Sequence, residues 1–384
     1  MAFGISGTLL YYYAHNKNTR HFLASIINMR AFLATVARFL PSNTKTAIKS
    51  FLASCDEGVL KLVAQLPWLS GVYYLLNRRY TAQQKAGIAG RHAFYHRLEI
   101  SNARSGFLRR HIHRLEKGLL MRPRKAIFAL DYIDETVEVF AQCLQSNSLS
   151  KAESDWAVSV LSEYFSVVDE HPVIMDPSIR FDALCQQYEL IKSEAIPYAA
   201  HARPSASITS NELSVLYERR RSVRYFANKP VPIELLRQAI QMAGSAPSAC
   251  NRQSFKFISF NTPTDAQRIG AIAAGTAGFA QQFQSLLVLV GDLSAYPFEK
   301  DRHVIYIDGA LASMQLLLAL ETLGLGACPI NWADEPVAEA NMQAELNLPS
   351  YQRVLMLIAV GYADDDGMIA YSAKRPVSEL LDER

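Results

Sequence analysis

Apolar residues recur three or four apart through much of the first half of the chain. "KSFLASCDEGVLKLVAQL" (49–66), "YIDETVEVFAQCLQ" (132–145) and "ESDWAVSVLSEYFSVV" (153–168) all carry this spacing, which lines one face of an α-helix. Strand signals are scarce there, so residues from about 20 to 195 predict a mostly helical region. Beyond it the pattern changes. "SFKFISF" (254–260), "SLLVLVGD" (285–292) and "RVLMLIAVGYA" (353–363) are short aromatic or β-branched runs bounded by turn residues, and predict strands. Helical stripes alternate with them in "PIELLRQAIQMAGSA" and "IDGALASMQLLLALETLGLG", the second closing on Gly324 and Gly326 as a helix C-terminus should. The helix from Ile307 to Leu325 is too apolar for an exposed surface helix, so it is expected in the core or at an interface. "AAHARPSASITS" (199–210) is small, polar and carries a proline, and reads as a linker. The predicted organisation is a helical region over 1–198, a linker over 199–210, and a mixed domain on a central sheet over 211–384.

Composition adds limits. A chain of 384 residues, half of them hydrophobic and a fifth charged, can bury a large core and form about two domains, or three. The five cysteines (Cys55, Cys143, Cys185, Cys250 and Cys328) are scattered without the close spacing of a metal knuckle or redox motif, which fits a reducing, cytoplasmic compartment. The net charge of +3 hides an asymmetry: residues 1–125 hold 20 Lys and Arg against 4 Asp and Glu, and the remainder is acidic. Such a front end is compatible with peripheral contact to an anionic membrane surface, with nucleic acid, with the acidic half of the same chain, or with a helical domain whose outer face is basic. Nucleic acid ranks last, because the aromatic platforms and finger spacings that serve it are missing. The longest early apolar run, "GTLLYYYA", is far short of the roughly 20 residues of a spanning helix, and no signal peptide is expected.

The chemistry concentrates around "YERRRSVRYF" (217–226), with four arginines in ten residues. An arginine run can be a solvated face, or a clamp in which guanidinium forks and the Ser222 hydroxyl grip an anion. Because the run follows a helical stretch, "NELSVLYE", its arginines can project from a helix end. "APSACNRQSF" places small residues and Pro247 in a loop before a strand, where backbone can approach a flat ligand. A second basic pair, Lys374 and Arg375, lies near the C-terminus. In "RRHIHRLEKGLLMRPR" (109–124), His111 and His113 are two apart, so they fall on different helix faces and argue against a metal site; Gly118 reads as the cap of that basic helix, before a turn at Pro123. Asp308 reads as a helix N-cap rather than a general base.

The succession of "RRSVRYF", "PVPIELLRQAIQMAGSAPSACNRQSFKF", "DGALASMQLLLALETLGLGACPI", "LMLIAVGYA" and "KRP" resembles the nitroreductase superfamily of FMN-dependent oxidoreductases over about 211–384. The resemblance implies an α+β fold, with a mainly antiparallel central sheet flanked by helices, forming a homodimer whose two FMN sites span the interface. It implies that Arg220, Arg221, Ser222 and Arg224 bind the FMN phosphate and ribityl chain, and that Lys374 and Arg375 complete the phosphate site. Pro247, Ser248, Ala249 and Asn251 would pack on the isoalloxazine from the partner subunit, with Gln253 in the same motif. Pro329, Ile330 and Asn331 would approach flavin N5 and the pyrimidine edge, although "CPINW" departs from the Gly or Glu-Gly common there. Arg219 is left as surface.

The activity implied is hydride transfer from NADH or NADPH through flavin N5 to a small-molecule acceptor: a nitro compound, a quinone, an enone or a glycan-pathway intermediate. No side-chain acid or base is required. The alternative is an FMN-holding scaffold or regulator whose basic N-terminal region binds membrane or a partner. A segment over 261–284 corresponds to the family's lid, in which Phe279 and Phe283 are expected to be core. The "H-x-x-EKGL" string at His113–Leu119 also resembles an element in N-terminal extensions of nitroreductase-like proteins linked to bacterial surface-polysaccharide gene sets, which suggests a site of action near the inner membrane.

Overall fold

The computed structural model describes residues 44, 57–66, 69–77, 80–97 and 100–384. The chain forms two compact units, Met1–Gln83 and Gln84–Arg384. In the first, residues 57–65 are helical and precede α1 (Leu69–Asn77). Val59, Val63, Leu69 and Tyr73 make a small apolar cluster there. The rest of the helix expected over 49–66, and the early apolar run "GTLLYYYA", lie outside the described residues.

Helix α2 (Thr81–Tyr95) carries the chain into the second unit. Helices α3 (Ser101–Leu119), α4 (Ile133–Gln145), α5 (Lys151–Val167) and α6 (Pro172–Gln187) follow. The helical reading of 132–145 and 153–168 holds, because the predicted stripes are the buried ones: Ile133, Val137, Phe140, Val160, Leu161 and Tyr164 join Ile112 and Leu115 in one core. A capping box starts α5, where the Ser150 hydroxyl accepts from the Glu153 N–H and the Glu153 carboxylate accepts from the Ser150 N–H. Gly118 is not the cap of α3. It sits inside the last turn, Leu120 closes the helix in right-handed conformation, and a Cβ at Gly118 would collide with the Phe128 ring. Close packing, rather than a left-handed turn, requires the glycine.

His111 and His113 do point to different faces of α3. His113 meets Glu116 at the half-exposed side, and His111 is buried, its Nδ1 3.1 Å from Thr136 Oγ1 and its Nε2 2.9 Å from Arg110 Nη1. Thr136 spends its own proton on Tyr132 O, so Nδ1 carries the ring proton and Nε2 accepts from Arg110. Burial, then Arg110, Arg114 and Arg97, hold the His111 pKa down to about 2. The unfolded chain, with an ordinary pKa near 6.5, therefore binds one more proton than the fold below that pH, and stability falls as the medium is acidified. Between pH 6.5 and 5 the protein is expected to lose about 1.6 kcal/mol more than the His111→Gln variant, the slope approaching ~1.4 kcal/mol per pH unit once the unfolded imidazole is fully protonated. Parallel urea titrations at the two pH values check this; equal losses would refute it.

After an exposed, irregular stretch over 190–208, α7 (Ser210–Arg219) begins with a capping box of Thr209 and Glu212. Then come α8 (Ile233–Ala243), β1 (Phe255–Phe260), α9 (Pro263–Gly270), β2 (Ser285–Asp292), α10 (Val304–Thr322), β3 (Gly326–Asn331), α11 (Pro336–Glu345), β4 (Gln352–Gly361) and the short α12 (Val377–Leu380). The four strands form one antiparallel sheet in the order β1-β2-β4-β3, with a bulge at Leu355, where Leu289 faces Met356 and Val290 faces Val354. The fold is α+β, as expected. Alternation on β2 divides the core: Leu286, Val288 and Val290 face α9 and the turns after it, and Leu287 faces α10 and α8. Strand β3 escapes the pattern because "GACPIN" contains Pro329, which a ladder tolerates only at an edge, and β3 is an edge.

Gly324 ends α10 with φ of 76°, and Leu325 N–H returns to Leu320 O at 2.9 Å. The stretch Glu299–Thr322 is long and apolar enough to cross a membrane, and half of its most apolar window is buried in the fold. Ile305, Ala312, Leu316 and Leu320 face the sheet side, whereas Ile307, Leu311 and Met314 are exposed on the single chain.

Candidate functional site

The arginine run is laid along the β3 edge. Val223 N–H donates to Ala327 O at 3.0 Å and Ser222 forms a parallel bridge with Ala327, so the backbone after α7 continues the sheet for a residue or two. Arg219 turns outward to Glu321, whose carboxyl burial pushes upward. Arg220 is half-buried and its Nε lies out of water without a partner. Arg221 donates to Glu218 O and Tyr371 O. Arg224 is exposed, its guanidinium 3.4 Å from Ser222 O and 5.7 Å from the centre of the Phe279 ring.

Arg224 shares a cleft of ≈ 290 Å³ with Phe279, Pro329, Ile330, Asn331 and Trp332. Residues 105 positions apart in sequence are thus brought together by the pairing of β3 with β4 on one side and with Ser222 on the other. The two lid phenylalanines divide. Phe283 is fully buried in the core as expected, but Phe279, stacked edge-on against it at 5.5 Å, is only half-buried and presents its ring to the cleft. Beneath the cleft, burial pushes the Cys328 thiol up, against the pull of Arg224, so the thiol is neutral.

Sequence reasoning missed the network that holds the cleft's far wall. Arg353, at the start of β4, is 1% exposed; it reaches Asp334 at 2.6 Å and has Nε 3.0 Å from Glu339 Oε1, close enough for an ion pair but poorly directed for a hydrogen bond. Glu339 accepts from Trp332 Nε1 at 2.8 Å. An arginine opening an apolar strand reads as a solvated strand end, and nothing in the linear pattern pairs it with α11.

The remaining predicted residues sit elsewhere. Lys374 and Arg375 are exposed on the C-terminal tail; the tail passes beside Arg221 through Tyr371, while Arg375 pairs with Glu379 at 2.9 Å. Pro247, Ser248, Ala249, Asn251 and Gln253 form a loop that runs into β1, on the opposite edge of the sheet from β3. Asp308 is not the N-cap of its own helix: α10 begins four residues earlier, and both Asp308 oxygens accept from Ala249 N–H at 3.1 Å. The side chain caps the loop instead. Burial raises its pKa, opposed by the Ala249 N–H and then Arg252.

The nitroreductase-family model matches residues 217–286 and 271–362. An iodotyrosine deiodinase 1 of Pongo abelii is 23% identical over 221 residues, covering 49% of this chain and 74% of that protein. An NADH dehydrogenase of Thermus thermophilus is 29% identical over 181 residues, covering 39% of this chain and 85% of its own length. Among solved structures, an FMN-dependent nitroreductase of Clostridium difficile aligns over 44% of this chain and 98% of its own, with 21% identity and a TM-score of 0.38. The matched span takes in the arginine run, all four strands and the cleft between them, so residues 217–362 form a nitroreductase-family domain.

Proposed function

We propose that residues 211–384 hold FMN at the β3 edge and pass reducing equivalents from NADH or NADPH to a small-molecule acceptor. The observation that carries this reading is the cleft that Arg224 lines together with Pro329, Ile330 and Asn331. When bound, FMN would supply two-electron hydride chemistry. The residues present fit its phosphate: Arg220 offers a half-buried guanidinium with an unspent Nε, Arg224 an open one, and Ser222 a hydroxyl in the same run. A partly buried dianion needs several such charge-assisted donors. Phe279 offers a ring face to a planar group, and the neutral Cys328 thiol brings no competing anion to the floor.

The loop Pro247–Gln253 lies at the other sheet edge, so in this reading a second copy of the chain would bring it to the cleft, and a homodimer is part of the proposal. A relative named NADH dehydrogenase supports a nicotinamide donor. The test is an anaerobic stopped-flow mix of FMN-loaded protein with NADH and, separately, NADPH, followed at the flavin absorbance band. Bleaching within seconds is expected with at least one donor. Failure with both would leave an FMN-holding scaffold as the better reading.

A further inference from the structure

The helices that precede the sheet domain grip the loop Ser248–Gln253 directly. Cys250, Asn251 and Gln253 all sit in the left-handed region, with φ of 54°, 51° and 51°, three of the eight non-glycine residues with positive φ among those described. Side-chain-bearing residues persist there only where surrounding contacts over-determine the backbone. Among the contacts made within the loop or from α10, Asp308 accepts from Ala249 N–H, Ser248 Oγ accepts from Gln253 N–H at 3.1 Å, and Gln253 Nε2 donates to Asn251 Oδ1 at 2.8 Å.

A further contact comes from outside both, from α3. Arg109 Nε donates to Asn251 O at 2.8 Å, while Arg109 Nη1 donates to Glu153 Oε1 at 2.7 Å. Glu153 is itself fixed, since it closes the capping box of α5 and accepts from Ser105 Oγ at 3.0 Å. Arg109 also lies 5.4 Å from the Trp156 ring, and its side chain is 14% exposed, so the pair works largely out of water. The helix cannot drift away from this register cheaply: Gly106 approaches the 293–295 turn so closely that a Cβ there would stand 2.8 Å from Ala295 Cβ.

We propose that Arg109 is a positioning residue that locks the Ser248–Gln253 loop from the helical part of the chain. The loop's shape then depends on α3 and α5, and its effect on flavin chemistry rests on the function proposed above. The donor comes from outside the sheet domain, from the basic string beginning at Arg109.

The test uses the full chain as wild type, Arg109→Ala and Arg109→Lys, first without added FMN. Iodoacetamide alkylation of each cysteine is followed by peptide mass spectrometry. Cys250 reports the loop, and Cys143, fully buried in the helical core, reports global unfolding. Arg109→Ala is expected to alkylate Cys250 roughly tenfold faster, the scale of one charge-assisted hydrogen bond acting on a local opening equilibrium, with Cys143 still slow and Arg109→Lys in between. An unchanged Cys250 rate in Arg109→Ala overturns the proposal, as does a Cys143 rate that rises in step with it. With FMN then bound, the same variant is expected to shift the flavin's midpoint potential. Faster Cys250 with an unmoved potential keeps the lock and defeats its role at the flavin. Failure of the wild type to bind FMN defeats the cofactor reading and leaves the alkylation result standing.

Discussion

Replacing Arg220 and Arg224 together with alanine is expected to weaken FMN binding by roughly 10²- to 10⁴-fold. Each guanidinium contributes a charge-assisted hydrogen bond of about 1.5–3 kcal/mol to a phosphate, and every 1.4 kcal/mol is about tenfold in affinity. The two residues are chosen because their donors are not already taken. Arg220 carries a buried Nε with no partner, and Arg224 stands exposed at the cleft with only a weak contact to Ser222 O. Arg221, by contrast, already serves two backbone carbonyls, and Arg219 is turned away to Glu321. Arg219→Ala is therefore the control and should leave FMN affinity close to wild type. Quenching of FMN fluorescence on titration with protein reads both; a double variant that still binds as the wild type does would remove the arginine run from the phosphate site.

The second large effect concerns stability. Arg353→Met is expected to destabilise the sheet domain by about 3–5 kcal/mol, the cost of stranding one member of a buried ion pair. Arg353 is enclosed, and removing it leaves Glu339, whose side chain is 7% exposed, with a charge and no cation. The double variant Arg353→Met with Glu339→Gln is expected to recover more than half of that loss. It deletes the stranded charge while the amide oxygen of the new side chain can still accept from Trp332 Nε1. Urea unfolding of the three proteins measures this. A loss below about 1 kcal/mol for Arg353→Met, or no recovery in the double variant, would mean that the pair is not what holds Trp332 and the wall of the cleft.

These two cases also divide what could be read from the sequence from what could not. Local spacing determined the elements: three of the four strands and the helices at 133–145, 151–167, 233–243 and 304–322 follow from periodicity, because one face of each must be buried and the period of the apolar residues names the element. The order of motifs determined the family, since several short patterns in register are far more restrictive than any one alone. Residue type singled out a run of four arginines as the candidate clamp.

Tertiary structure decided the rest, and in each instance the reason is a pairing between residues far apart in the chain. Pro329 hides a strand that exists because the sheet has an edge there. Asp308 caps a loop 59 residues upstream rather than its own helix. Phe279 and Phe283 are the same residue type four positions apart, yet the packing of α9 against β2 sends one into the core and leaves the other at the cleft. Arg109 and Arg353 read as surface charge, and become structural because a carboxylate on another helix faces each of them. A linear pattern records what a residue prefers; it does not record which distant group arrives to satisfy a buried donor or charge, and that is where the site of this protein is made.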